Sequence, residues 1–136
     1  MFRRLAVFFA SIAIIGVFSA CQGPSENPVT YVSGTLTVEI NTPSLAGLNA
    51  GCNAVDLDGE NLAVSNLLVL DENGQVQKTL EMDGTEVVFN GGYILDVSCS
   101  VWNGPQTDND VRFSAQKRID IDGDTTVTFE AEDNTL

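Results

Sequence analysis

The sequence predicts an all-β sandwich of about seven to eight strands over residues 29–136, on three observations. Apolar and polar residues alternate at period two in several segments. Turn dipeptides recur between those segments, as Asp-Gly, Asn-Gly or Gly-Gly steps at 58–59, 73–74, 83–84, 91–92, 103–104 and 122–123. No stretch carries a convincing helical period.

Leu36, Val38 and Ile40 alternate with Thr35, Thr37 and Glu39, which predicts a half-buried first strand. Leu67 to Leu70 is an unbroken apolar run, the pattern of a central strand covered on both faces. Asn73-Gly74 lies between Leu67–Asp71 and Val76–Met82, and Asp122-Gly123 between Arg118–Ile121 and Thr125–Glu130. Both dipeptides supply the positive φ of a tight turn, so two hairpins are predicted. Tyr93, Leu95, Val97, Cys99 and Val101 share one strand face, which places Cys99 inward. Val111, Phe113 and Ala115, then Val127, Phe129 and Ala131, predict two further half-buried strands.

The chain has 136 residues, enough for one domain, and 43% of them are hydrophobic, which excludes a disordered acidic chain. Lys and Arg total 6 against 19 Asp and Glu, a net charge of −13, so no nucleic-acid partner is expected. Histidine is absent. That removes the usual general base, the commonest metal ligand and every Ser-His or Cys-His pair. No catalytic residue and no cofactor are predicted.

Arg3 and Arg4 precede a 14-residue uncharged, mostly apolar run from Leu5 to Phe18. A basic start and an apolar run of this length are the layout of a secretory signal peptide, here residues 1–20. A spanning helix needs roughly 20 apolar residues, and an uncleaved anchor is the alternative. Phe18 disfavours an ordinary cut after Ala20, because that position calls for a small residue. Phe18-Ser19-Ala20-Cys21 resembles the lipobox of bacterial lipoproteins, with Phe where Leu is usual. The resemblance implies a diacylglycerol on the Cys21 thiol and a membrane anchor through it. Gln22 rather than Asp after that cysteine implies the outer membrane. Residues 21–28, with Gly23, Pro24, Ser25 and Pro28, read as a short tether. Loss of residues 1–20 removes two arginines and no acid, leaving 4 basic and 19 acidic side chains.

Three cysteines leave one over in an oxidising compartment, and lipidation of Cys21 accounts for it. Cys52 and Cys99 then form the candidate disulfide, worth roughly 4 kcal/mol by loop closure. Two buried free thiols are the alternative.

Gly34-Thr35-Leu36-Thr37-Val38, Asp58-Gly59, Leu62, Val64, Leu67–Asp71, Asn73-Gly74, Thr79, Asp83-Gly84, Val88-Phe89 and Gly91-Gly92-Tyr93-Ile94-Leu95-Asp96-Val97 together resemble the carboxypeptidase-regulatory-like domains of the transthyretin-like superfold. The resemblance runs from Gly34 to Cys99 and implies a Greek-key sandwich that serves as a non-catalytic accessory module. Asn41 to Val55, with Cys52, reads as an insertion relative to the compact form of such domains. The lysine of the first strand that self-locking adhesin domains use is missing, and so are the histidine and C-terminal motif of the enzymatic transthyretin branch.

Asp120, Asp122 and Asp124 alternate around Gly123, and Asp56, Asp58 and Glu60 around Gly59. Such carboxylates are weak candidates for Ca²⁺, because the glycine and the bidentate acid are misplaced for an EF-hand loop. Asp-rich turns held by local backbone hydrogen bonds are the simpler reading. Trp102 lies opposite the Cys99 face by parity, a candidate contact for a sugar or peptide; a tryptophan covering a core edge is the simpler reading. Tyr31 and Tyr93 are assigned to packing. The function expected is a structural or protein-binding module at the cell envelope, with an envelope or extracellular protein as partner. A carbohydrate- or calcium-binding surface module is the alternative.

Overall fold

The computed structural model describes residues 30–106 and 110–136. The predicted signal segment, Cys21 and the whole tether therefore lie outside the described residues, as does Asp108. The body runs from Tyr31 to Leu136. It is all-β and arranged in two sheets, as a sandwich requires.

The strands are β1 (Gly34–Asn41), β2 (Asn49–Val55), β3 (Asn61–Val64), β4 (Leu68–Val69), β5 (Gln75–Thr79), β6 (Glu81–Met82), β7 (Thr85–Glu86), β8 (Val88–Phe89), β9 (Ile94–Trp102), β10 (Val111–Asp120) and β11 (Thr125–Glu130). Among the described residues, seven of these span four residues or more and four are two-residue segments, eleven strands against the seven to eight expected. The smaller sheet has the order β11-β1-β5, with β8 pairing the start of β1. In it β1 runs parallel to β11 and antiparallel to β5. The larger sheet has the order β10-β9-β2-β3-β6-β7, with β4 pairing the start of β2. Its neighbours are antiparallel throughout. Short 3₁₀ turns stand at Pro43–Leu45 and Ala131–Asp133.

Period-two alternation places one face of each long strand in the core. Leu36, Val38 and Ile40 of β1 are fully covered, as are Leu95, Val97, Cys99 and Val101 of β9. Phe113 and Ala115 of β10 and Val127 and Phe129 of β11 close the core. Each of the larger side chains contributes about 1.5–3 kcal/mol by leaving water.

Several sequence expectations are corrected. The stretch set aside as an insertion supplies β2, which lies inside the larger sheet between β9 and β3. Its inward residues are Ala50, Cys52 and Ala54, so the alternation is present but carries little apolar bulk. The Leu67–Leu70 run is not a central strand. Only Leu68–Val69 is extended, while Leu67 and Val69 are 65% and 57% exposed.

Neither predicted hairpin forms. After Asn73-Gly74 the chain leaves β4 in the larger sheet and enters β5 in the smaller one; after Asp122-Gly123 it passes from β10 to β11 in the same direction. Gly74 and Gly123 do take positive φ, at 73° and 83°. A positive φ specifies the local reversal and leaves the choice of partner strand to packing. The Gly74 turn is held against the Pro43–Leu45 turn, where the Thr42 N–H donates to the Gly74 carbonyl at 2.8 Å. True hairpins join β2 to β3, β6 to β7 and β9 to β10. The second turns on Asp83-Gly84, both at positive φ (52° and 77°), the signature of a two-residue reversal. Val111 is 40% exposed because the β10 register shifts between Val111 and Phe113, and Ala131 leaves the strand for the closing 3₁₀ turn.

Candidate functional site

The outer face of the larger sheet carries the principal groove, and a β-bulge creates it. Asn53 faces Val64 and Ala50 faces Leu68, so the β3–β4 edge holds one residue more than β2 over the same span. The extra length is taken up at Ser65–Leu67, where Asn66 adopts φ 59°. Buried Ser65 pins the distortion. Its hydroxyl accepts from the Cys52 N–H at 2.8 Å and donates to the Asn66 carbonyl at 2.8 Å, and its own N–H donates to the Cys52 carbonyl at 2.9 Å. The result is a groove of about 510 Å³ lined by Gly51, Asn53, Val64, Asn66, Leu67, Ser100, Trp102 and Gln106. Among the described residues no charged side chain lines it.

Trp102 sits on this outer face, as strand parity predicts, yet it is only 8% exposed. The ring lies across Gly51, where a Cβ would come within 3.3 Å of Cη2. Trp102 is thus a cover on the sheet, the simpler of the two readings of the sequence, and its edge reaches the groove. Its Nε1–H is buried without a hydrogen-bond partner among the described residues.

Cys52 and Cys99 face each other in register across β2 and β9 and are joined by a disulfide, with Cα atoms 4.2 Å apart. Both are buried, at 6% and 1% exposure, so Cys99 points inward as expected. The bond staples two adjacent interior strands of one sheet.

The acidic turns are occupied with backbone. Asp122 accepts from the Val32 N–H at 3.2 Å. Asp124 accepts from the Thr35 N–H at 2.9 Å and from its hydroxyl at 3.1 Å, and these bonds hold the Asp124 carboxyl below its ordinary pKa. One Asp56 oxygen accepts from the Asp58 and Glu60 N–H groups at 2.9 and 2.8 Å. Among the described residues no three His, Cys, Asp or Glu side chains converge as a metal site, so Asp120, Asp122 and Asp124 do not gather around a common point.

All four basic side chains in the body are engaged. Arg118 grips Asp96 with two bonds of 2.8 and 3.0 Å, and Arg112 grips Asp110 with two of 2.9 and 3.1 Å. Lys117 meets Asp133 at 2.8 Å and Lys78 meets Glu81 at 2.9 Å. Hydrogen bonding from Arg118, from Arg112 and from Lys117 lowers the pKa values of Asp96, Asp110 and Asp133 respectively.

A second groove, of about 290 Å³, lies where β9 begins and is lined by Asp56, Leu57, Asp58, Gly92, Tyr93 and Ile94. Tyr31 and Tyr93 stay 58% and 37% exposed, which corrects their assignment to packing. Sequence reading also misses Ser65 and Asn66. Their only signal is a Ser-Asn pair interrupting an apolar run, which reads equally as a turn.

Among the described residues no helix is long and apolar enough to cross a membrane. No family model matches the chain, and neither a curated protein nor a solved structure resembles it closely enough to register as similar.

Proposed function

We propose that the chain is exported, lipidated on Cys21 and moored at the cell envelope, in the outer membrane, where its sandwich serves as a non-enzymatic structural or protein-binding module. The finer fold assignment belongs to the same proposal: a Greek-key, transthyretin-like sandwich akin to carboxypeptidase-regulatory-like domains. One observation carries the reading. With Cys52 and Cys99 bonded to each other, Cys21 is the remaining thiol, and it directly follows the basic and apolar leader. Disulfides belong to oxidising compartments, and a lone cysteine there calls for a modification. Several acyl chains on one cysteine hold a protein to a bilayer where a single chain does not.

Labelled palmitate and membrane fractionation test the anchor. The wild type takes up label and sediments with membranes, while Cys21→Ser takes up no label. An unlabelled wild type in the cytosol with three reduced thiols would overturn the proposal. Cross-linking in intact cells tests the binding role, and a single defined envelope partner is the expected result.

A carbohydrate-binding role is the second reading. It is favoured by the groove beside Trp102, whose Asn53, Asn66 and Gln106 amides and Ser100 hydroxyl suit sugar hydroxyls and whose described lining carries no charge. Calorimetric titration with neutral glycans separates the two, since saturable binding would demote the protein-binding role.

A further inference from the structure

The end of the sandwich where β9 begins and where β2 and β10 finish gathers five exposed large apolar side chains: Tyr31, Val32, Leu57, Tyr93 and Ile94. They form one patch. Leu57, Tyr93 and Ile94 line the 290 Å³ groove with Gly92, and the Tyr31 ring lies on Gly92, within 3.0 Å of where a Cβ would stand. Val32 is tied to the neighbouring turn, because its carbonyl accepts from the Gly123 N–H at 2.6 Å. Exposed apolar surface of this kind marks a contact surface.

The charges around the patch decide what it contacts. Asp56 and Asp58 form one wall of the groove, and Asp120 stands in register opposite Ile94. Among the described residues no basic side chain lines the groove. Arg118, two residues from Asp120 along β10, is already held by Asp96, and the body's other three basic residues are paired elsewhere. A second copy of this chain would bring the same carboxylates to the contact, and an anionic lipid surface would be repelled. A side chain with an apolar stem and a cationic tip satisfies both features. Its stem lies on Leu57 and Ile94, its charge meets the two carboxylates, and the Tyr93 ring offers a cation–π face.

We propose that this groove seats an arginine or lysine side chain from a basic segment of a partner polypeptide. The proposal deepens the protein-binding reading of the sandwich and rests on it. The test is an amide NMR titration of the isotope-labelled intact chain, held in zwitterionic detergent micelles, with the peptide acetyl-Gly-Arg-Leu-Arg-Gly-amide. Salt-sensitive shifts confined to residues 56–60 and 92–94 are expected, and none with the peptide carrying Glu in place of Arg. Asp58→Asn, in an exposed turn, should weaken binding about fivefold, the effect of losing one exposed charge pair.

Shifts spread evenly over distant acids such as Glu72 and Glu132 would overturn the proposal, as would unchanged affinity in Asp58→Asn. Broadening of the 56–60 and 92–94 amides by a spin-labelled lipid would make the patch a lipid contact. Shifts that grow with protein concentration alone would make it a self-contact, and either result overturns the proposal. A cross-linked envelope partner mapped to the Trp102 end would overturn it too, while leaving the protein-binding reading intact.

Discussion

Breaking the Cys52–Cys99 bond should remove a large share of the stability of this sandwich. The bonded residues are 47 apart in sequence, and closing a loop of that size restricts the unfolded chain by about 4 kcal/mol. Domains of this kind are commonly stable by about 5–15 kcal/mol, so the loss brings the fold close to its margin. At about 4–8 °C per kcal/mol, the melting temperature should drop by about 15–30 °C. With a urea slope of about 2 kcal/mol/M, the unfolding midpoint should fall by about 2 M. Both sulfurs are buried, so the reductant is best applied to unfolded protein, which is then refolded under reducing conditions. Cys52→Ala/Cys99→Ala provides the companion measurement. It loses the cross-link and also the packing of two sulfurs, so it should be less stable than the reduced wild type by about 1–2 kcal/mol. Oxidised and reduced proteins unfolding within about 1 kcal/mol of each other would refute the reasoning, because the loop would then restrict almost nothing.

Gly74→Ala and Gly84→Ala should differ sharply in a urea titration. Both residues have positive φ, but a Cβ at Gly74 meets the Thr42 carbonyl oxygen at 2.2 Å while one at Gly84 meets nothing within 4 Å. Gly84→Ala should cost about 1 kcal/mol of left-handed strain, and Gly74→Ala at least twice that. Trp102→Phe should stay within about 1 kcal/mol of wild type because it removes a buried N–H that has no partner among the described residues, whereas Trp102→Ala should cost about 3–5 kcal/mol. A wild-type Trp102 emission at the wavelength of a water-exposed indole would contradict the buried ring. The Asp124 pKa is lowered by its bonds to Thr35, so its contribution is present above the unfolded pKa of about 4 and is lost as pH falls through the folded value. Asp124→Asn should therefore make stability fall less steeply than in wild type between pH 4 and pH 2, read from urea midpoints at each pH; equal slopes would remove Asp124 from the acid transition.

Legibility in the sequence follows apolar bulk. Leu36, Val38, Ile40, Leu95, Val97, Phe113, Val127 and Phe129 announce their strands because each buries a large side chain every second residue. β2 has the same periodicity in Ala50, Cys52 and Ala54, but small residues barely distinguish its two faces, so the most central part of the larger sheet reads as an insertion. The candidate sites are less visible still. Ser65 works by replacing one ladder acceptor with its hydroxyl, and the groove beside it exists only because β3 and β4 share an edge of β2. The second groove joins Leu57 to Tyr93 and Ile94, residues far apart in the chain, and no local pattern links them.

By itself the sequence determined the all-β class, the acidic character, the inward placement of Cys99 and the two cysteines that join. Each follows from periodicity, charge count or parity, which are local or additive properties. Only the tertiary structure decided that the Asn73-Gly74 and Asp122-Gly123 turns cross between sheets, that Trp102 lies flat on Gly51, and that the acidic turns bond to backbone N–H groups. A turn dipeptide sets two dihedral angles, but the strand that pairs next is chosen by which long-range contacts bury the most surface together.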